Sequence, residues 1–322
     1  MPGAPQQGEP VPPAPSALDR AIGAVVGSAV GDALGAPFEF GPEGAFSQRF
    51  PTPGGEMCGG GGWEPGEATD DTQTAVLVGE SLLERGGLDP ADVFRRFRRR
   101  AAVEPKDIGL QTEAVLTGGH PWDTAAGPHF RNSQRAAGNG ALMRAAPSAV
   151  YFARHGRTAT LDAARRLAAL THGDPAAGEG TAVLHELVRV ALAGDDPPAA
   201  VPKTLTALRP GHRERFAVVL APDRHPDRAT EFNGAVWPCL GSAVWALRTT
   251  GSYEEAVRAA VDLGGDTDTV AAVTGAPAGA VHGIGAVPER WTRVLDVPLP
   301  GFGGRVLRAP DLIALARALT PA

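Results

Sequence analysis

Leu18-Asp19-Arg20-Ala21-Ile22-Gly23-Ala24-Val25-Val26-Gly27-Ser28-Ala29-Val30-Gly31-Asp32-Ala33-Leu34-Gly35 is the stretch on which the fold turns. Gly23, Gly27, Gly31 and Gly35 recur at every fourth residue and so share one stripe of a helix. Glycine costs a helix stability relative to alanine, so four in register imply that something must come close to that stripe. The apolar run from Ala21 to Phe38 is also long enough to suggest a membrane span or a signal core. No cluster of positive charge precedes it, and Asp32 would lie deep in lipid, which argues against both. The expected structure is a buried helix of a soluble protein, from about Leu18 to Gly35, with a second helix packed closely on its glycines.

Outward from this helix, residues 1–16 are rich in proline and read as a disordered leader, leaving residues 17–322 as a single domain. On the other side, Pro37 to Glu67 shows no periodicity and contains the run Gly59-Gly60-Gly61-Gly62. A phosphate-binding P-loop would need Gly-Lys-Ser/Thr where Trp63 stands, so the stretch from Gly41 to Glu67 is read as a lid. Helical periodicity then resumes in Thr72 to Arg85, with Val76, Gly79, Leu82 and Leu83 on one face. Val93 to Ala101 follows, with Phe94 and Phe97 inward and Arg95, Arg96, Arg98, Arg99 and Arg100 as a solvated face. Further helices are expected at Leu161 to Thr171, Gly180 to Ala193, Val236 to Thr249, Tyr253 to Val261 and Leu312 to Leu319. Arg215 to Leu220 is the best strand candidate, inside a surface excursion from Pro197 to Thr230. The pattern is that of a mainly helical protein.

The 322 residues are 43% hydrophobic and 20% charged, with a formal net charge of -6. That balance gives no reason to expect nucleic acid as a general partner. Cys58 and Cys239 are isolated and form no redox or metal-binding spacing. A cytoplasmic monomer, not attached to membrane, is expected.

Two short motifs carry chemistry. Thr69-Asp70-Asp71-Thr72 opens a helix. Capping explains one such residue well but does not need two aspartates between two threonines. Gly264-Gly265-Asp266-Thr267-Asp268-Thr269 places two aspartates so that they can face one centre, and its glycines allow close backbone approach to a ligand. A tightly packed helix of small residues follows, which Pro277 should kink or end. Together the motifs form an all-oxygen donor set, which suits Mg²⁺ or Mn²⁺ better than zinc. Without cations, four buried carboxylates would repel one another and take up protons.

These motifs, in order with Gly31-Asp32-Ala33-Leu34-Gly35-Ala36-Pro37-Phe38-Glu39 and Gly138-Asn139-Gly140-Ala141-Leu142-Met143-Arg144, resemble the ADP-ribosyl-acceptor glycohydrolase family. That family takes in the bacterial dinitrogenase-reductase-activating glycohydrolases. Asn233-Gly234-Ala235-Val236-Trp237 fits the same family, and the resemblance covers about residues 18–295. It implies an all-α orthogonal helical bundle around a two-metal centre. It also implies that Thr69, Asp70, Asp71, Asp266, Asp268 and Thr269 hold two divalent cations, Mg²⁺ or Mn²⁺. Glu39, Asp71 and Asp268 are the implied catalytic carboxylates, with Glu39 gating the cleft. Gly138, Asn139 and Gly140 match a loop that receives ADP-ribose, and Thr171-His172-Gly173-Asp174 a segment near the ligand. His172 read by itself is more often a structural histidine than a ligand contact. Asp107-Ile108-Gly109 resembles a segment facing the leaving group in arginine-directed members, and read by itself is a surface turn. Gly264 joins the substrate contacts.

The implied reaction is hydrolysis of the bond between the distal ribose of ADP-ribose and an acceptor, through an oxocarbenium-like transition state. The substrate would be ADP-ribose attached to a protein side chain such as arginine or serine, or to another acceptor. A non-catalytic ADP-ribose binder and a metal-dependent hydrolase of another nucleotide conjugate are the alternatives.

Overall fold

Ser16 starts the first helix: its hydroxyl accepts from the Asp19 N–H at 3.1 Å, and the Asp19 carboxylate accepts from the Ser16 N–H at 3.2 Å. This reciprocal cap satisfies two N–H groups that a helix start leaves free. The computed structural model describes residues 14–51, 54–133 and 136–320. Residues 1–13 of the expected leader therefore lie outside the described residues, and Ser16 belongs to the helix cap.

The described residues form sixteen α-helices and one two-stranded ribbon, which bears out the all-α expectation. In chain order they are α1 (Ala17–Gly35), α2 (Ala45–Arg49), α3 (Asp70–Arg85), α4 (Pro90–Ala101) and α5 (Leu110–Thr117). Then come α6 (Ala126–Asn132), α7 (Ala146–Ala153), α8 (Gly156–Ala168), α9 (Pro175–Leu192) and α10 (Pro197–Leu205). The rest are α11 (Pro210–Val219), α12 (Val236–Thr249), α13 (Tyr253–Val261), α14 (Thr267–His282), α15 (Glu289–Thr292) and α16 (Ala309–Leu319). Strands β1 (Val297–Pro298) and β2 (Val306–Leu307) pair antiparallel.

The glycine stripe of α1 receives α14. A Cβ placed on Gly23 would lie 2.1 Å from the Gly279 carbonyl oxygen, one on Gly27 2.7 Å from that of Gly275, and one on Gly31 2.2 Å from that of Ala271. The pairing runs antiparallel down to Gly35, whose carbonyl accepts from Thr267 Oγ1 at 2.9 Å. Small residues thus let two backbones touch, and the contact sets Asp32 near the start of α14. At the other end Arg20 Nη1 donates to the carbonyls of Ala280 and Val281 at 3.0 and 2.6 Å, capping α14. Held along its length in this way, α14 continues through Pro277 to His282 instead of ending there. The apolar length of α1 is buried inside the protein, as a core helix requires.

Gly279→Ala is accordingly expected to destabilise the chain by at least about 2 kcal/mol, since neither backbone can rotate away from the new methyl. Gly211→Ala, whose Cβ would meet nothing within 4 Å, is the neutral control. Urea denaturation of both variants measures the difference. Equal midpoints would refute the interlock.

Four expectations are corrected. Arg215 to Leu220 is helical: most of it forms the end of α11, because its buried residues Phe216 and Leu220 are four apart. The excursion from Pro197 to Thr230 contains α10 and α11, anchored by buried Val201, Leu208 and Phe216. On α3, Val76 and Leu82 are buried as expected, but Leu83 is partly exposed. On α4, Phe94 and Phe97 do face inward, but Arg100 goes with them, three residues after Phe97 on the same stripe. Its Nε donates to Gln73 Oε1 at 2.8 Å and its Nη2 to the Asp107 carbonyl at 2.7 Å.

The stretch expected to be a lid is largely packed down. Phe46 of α2, Met57 and Trp63 are buried, the Gly44 N–H donates to the Asp262 carbonyl, and Trp291 Nε1 donates to the Gly55 carbonyl at 2.7 Å. None of its described residues lines the cleft described next, whereas Glu39 and Phe40, just before it, do.

Candidate active site

The N-termini of α3 and α14 meet at one place, and their acidic caps meet with them. Thr69 is the N-cap of α3, with Oγ1 accepting from the Asp71 N–H at 3.3 Å. Asp70 and Asp71 then occupy the first helical turn, where the helix dipole favours negative charge. A third carboxylate comes from the middle of α1. Asp32 accepts from the N–H groups of Thr69 at 3.1 Å and Thr72 at 3.0 Å, and from Thr72 Oγ1 at 2.5 Å. One helix thus caps another through a side chain distant in sequence. Asp266 precedes α14, Asp268 lies in its first turn, and Thr269 Oγ1 donates to Asp71 Oδ1 at 3.4 Å.

The carboxylates fall into two overlapping groups. Oxygens of Asp32, Asp71 and Asp268 lie within 4.8 Å of one another, as do oxygens of Glu39, Asp266 and Asp268. Asp268 belongs to both. Asp71 Oδ2 is buried without a hydrogen-bond partner, a costly state for a carboxylate oxygen unless a cation faces it. The donor set fits hard divalent ions, which is the chemistry the motifs predict.

Burial is the first cause of the electrostatic strain here. It raises Asp71 and Asp268 well above the carboxylate range, with Asp268 and Asp266 respectively adding repulsion. It also raises Asp32 to about 6 against the bonds from Thr72 and Thr69. Glu39 is pushed to about 7 by burial and then by Asp266, Asp70 and Asp32. Asp107 is pushed to about 9 by burial and then by Asp70.

Each of these carboxyls keeps its proton to higher pH when folded than when unfolded. Through these carboxyls the metal-free folded chain binds more protons than the unfolded chain from the ordinary carboxylate range, about pH 4, upward. Buried His172 and His185, lowered to about 3 and 4, oppose this below about pH 6.5 but are fewer, so the carboxyls make stability fall as pH rises. Melting of the metal-free protein is expected to be higher near pH 5 than near pH 8.5 (both approximate settings), and saturating Mg²⁺ should flatten the slope. A melting temperature that climbs over the same range without metal contradicts the cluster's electrostatics.

Asn139, Asn233 and the two glycines of the second motif hold the far wall. Asn139 Nδ2 donates to Asp266 Oδ2 at 2.9 Å, so its side chain is committed to orienting that carboxylate. Asn233 Oδ1 accepts from the Asp266 N–H at 2.9 Å, while its Nδ2 donates to the Gly264 carbonyl at 2.8 Å. Gly264 and Gly265 have φ of +69° and +72°, and a Cβ on Gly264 would lie 2.8 Å from the Gly41 carbonyl oxygen. The close approach Gly264 permits is thus to the chain's own loop. Phe40, itself at φ +59°, donates its N–H to the Gly265 carbonyl at 2.6 Å, and this clasp sets Glu39 beside Asp266.

Above the carboxylates is a cleft of about 810 Å³. Glu39, Asp70, Asp71, Asp107, Gly138, Asn139, Gly140, His172, Asp266, Asp268 and Thr269 line it. Thr69 lies beneath this wall, fully buried. A second cleft of the same volume, around Ile284 and Arg308, lacks the cluster and is set aside on that chemistry. Phe40 and Phe232, both in the lining of the cleft above the carboxylates, stack at 6.3 Å between ring centroids, although they are 73% and 56% exposed. His172 is buried, and burial followed by the charge of Arg144 lowers its pKa to about 3.

The sequence reading did not assign roles to Asp32, Asn233, Arg144 or the two phenylalanines. Only Asp32 left a usable signal: an acid inside an otherwise apolar, glycine-striped helix.

Comparison with known proteins agrees with this geometry. Residues 13–321 match the model of the ADP-ribosylglycohydrolase family. The chain is 31% identical to the ADP-ribosyl-[dinitrogen reductase] glycohydrolase of Rhodospirillum rubrum, over 88% of this chain and 92% of that one. It is 30% identical to the ADP-ribosylarginine hydrolase Tri1 of Pseudomonas putida (strain GB-1), over 85% of this chain and 74% of that one. A solved structure titled ADP-ribosylglycohydrolase-related protein complex superposes with a TM-score of 0.75 at 38% identity, covering 95% of this chain and 98% of that one. The chain belongs to the ADP-ribosylglycohydrolase family. It is a glycohydrolase, and its reaction is the hydrolytic removal of ADP-ribose from an acceptor.

Proposed function

We propose that the cleft cleaves ADP-ribose from the guanidinium group of arginine, with two divalent cations held by the aspartate cluster. The observation that carries the two-ion reading is the position of Asp268, shared between two carboxylate groups that each have the spacing of an ion's donors. Asp70, Asp71, Asp266, Asp268, Thr69 and Thr269 would hold the ions, with Asp32 and Glu39 at the edges of the set. Bound there, such ions would supply fixed positive charge against the ribose oxygens and the attacking water.

The chain's own residues do the rest. The Asn139 N–H is committed to the Gly234 carbonyl, leaving the N–H groups of Gly138 and Gly140 to meet the diphosphate. Glu39 is assigned as proton acceptor from water because it lines the cleft beside Asp266 and Asp268, where bound cations would keep its carboxylate ionised and able to take a proton. Asp107 faces the leaving group. Burial and Asp70 favour its protonated form in the metal-free chain, and a guanidinium beside it would favour the carboxylate and pair with it. The arginine named in the Pseudomonas putida relative agrees with that chemistry.

The test is a panel of ADP-ribosylated arginine, serine and nucleic-acid substrates under one set of conditions. The arginine conjugate should be turned over at least about tenfold faster than the others. Equal or faster release from serine would remove arginine as the acceptor.

A further inference from the structure

Behind His172 is a polar chain that plays no part in holding metal. Arg144 is fully buried beneath the aspartates, its guanidinium 4.8 Å from the Phe97 ring centroid. Its Nη2 donates to Thr171 Oγ1 at 2.6 Å, and Thr171 Oγ1 lies 2.8 Å from His172 Nδ1. Thr171 has no exposed surface, and its hydroxyl has no third partner among the described residues.

Donor counting fixes the proton. Arginine only donates, so Thr171 Oγ1 accepts from Arg144. If His172 Nδ1 carried a proton and gave it to the same oxygen, the threonine hydrogen would be buried with no acceptor, at a cost of about 1–3 kcal/mol. The satisfied arrangement has Thr171 Oγ1–H donating to Nδ1, which puts the ring proton on Nε2. That nitrogen faces the cleft loop: a Cβ on Gly138 would lie 3.2 Å from Nε2, and one on Gly140 3.1 Å from it. Nε2 has no protein acceptor among the described residues. The lowered pKa of His172, about 3, agrees with a ring that stays neutral.

We propose that Arg144 and Thr171 are positioning residues that lock His172 in its neutral Nε2–H form, so that it serves the cleft as a fixed hydrogen-bond donor to an ADP-ribose oxygen and not as a base. The choice of ADP-ribose rests on the functional reading above, whereas the locked tautomer does not. Thr171 acts as an inverter: it accepts from a permanent cation and therefore must donate onward. The glycines at 138 and 140 are needed at this point because any side chain there would fill the space in front of Nε2.

The experiment uses the full-length, metal-loaded protein, with free ADP-ribose as the probe. Long-range ¹H–¹⁵N spectra, with His172 identified by loss of its signals in His172→Gln, should show a neutral ring protonated on Nε2 with and without ADP-ribose. A ring protonated on Nδ1, or on both nitrogens, overturns the proposal without any variant having to fold. Thr171→Val removes the hydroxyl and keeps the shape, and Thr171→Ser keeps the hydroxyl. The valine variant should bind ADP-ribose about tenfold more weakly, the usual scale of one lost hydrogen bond, and should raise KM with kcat within about threefold. Serine should restore affinity to within about threefold of the parent. Equal losses in both variants mean that Thr171 only fills space, and overturn the relay. An Nε2–H ring in a protein that does not bind ADP-ribose overturns the functional reading and the donation to ligand, while the lock itself stands.

Discussion

Asparagine in place of Asp268 is expected to lower turnover by at least about a hundredfold while leaving the fold in place. Asp268 is the carboxylate common to both donor groups, so its charge acts on each proposed ion. Asparagine preserves the size and the oxygen that accepts from the Thr269 N–H at 2.8 Å, and removes only the charge. Two effects on stability compete. A negative charge in the first turn of α14 gains about 0.3–1 kcal/mol from the helix dipole. Against it, each pair of charges about 4 Å apart costs up to about 4 kcal/mol at a near-surface effective dielectric. Repulsion wins, so the metal-free Asp268→Asn protein should melt at or above the temperature of the metal-free parent. Turnover, melting with and without Mg²⁺, and ADP-ribose affinity on one preparation decide the matter. Near-normal turnover would take Asp268 out of the reaction, and a collapsed fold would make it structural.

Removing divalent cations is expected to abolish activity, with Mg²⁺ or Mn²⁺ restoring it on addition. The reasoning starts from Asp71 Oδ2, buried and unpaired, and from carboxyls held above their ordinary range by burial and by one another. Protons can relieve that strain, but a protonated cluster offers little charge to an oxocarbenium-like transition state. Cations relieve it at neutral pH and leave the carboxylates ionised. Melting should rise on metal addition, by about 2.7 kcal/mol of stability at a hundredfold excess over the dissociation constant. The check is activity in chelator-treated protein whose metal content has been measured. Full turnover in a verified metal-free sample would end the dimetal reading.

How much of the site was legible depended on the distance over which each signal acts. Asp70-Asp71 and Asp266-x-Asp268 were readable because each pair is concentrated within one turn, where local geometry limits what the side chains can do. The role of Asn139 was not, because its amide is committed to Asp266, a contact across 127 positions. Arg100 was misread for a related reason. Five arginines on a short helix look like a solvated face, and only the carbonyl of Asp107 and the amide of Gln73 explain why one turns inward. In the excursion from Pro197 to Thr230, proline and charge mark helix starts and exposed faces, and hide the few apolar anchors beneath.

The sequence by itself determined that the chain is helical, that α1 must be met closely along one stripe, and that two acidic motifs sit at helix starts. Periodicity, glycine cost and capping act within a few residues, so they are written in the order of the amino acids. Only the tertiary structure decided that the partner of the stripe is α14, and hence that Asp32 caps α3 while lying near Asp268. It alone decided that Glu39 and Asp107 share a cleft with both motifs, and that Arg144 stands behind His172. The physical reason is that carboxylate repulsion, burial and hydrogen-bond donor counting depend on distances of 3 to 5 Å through space, and chain order does not fix those distances.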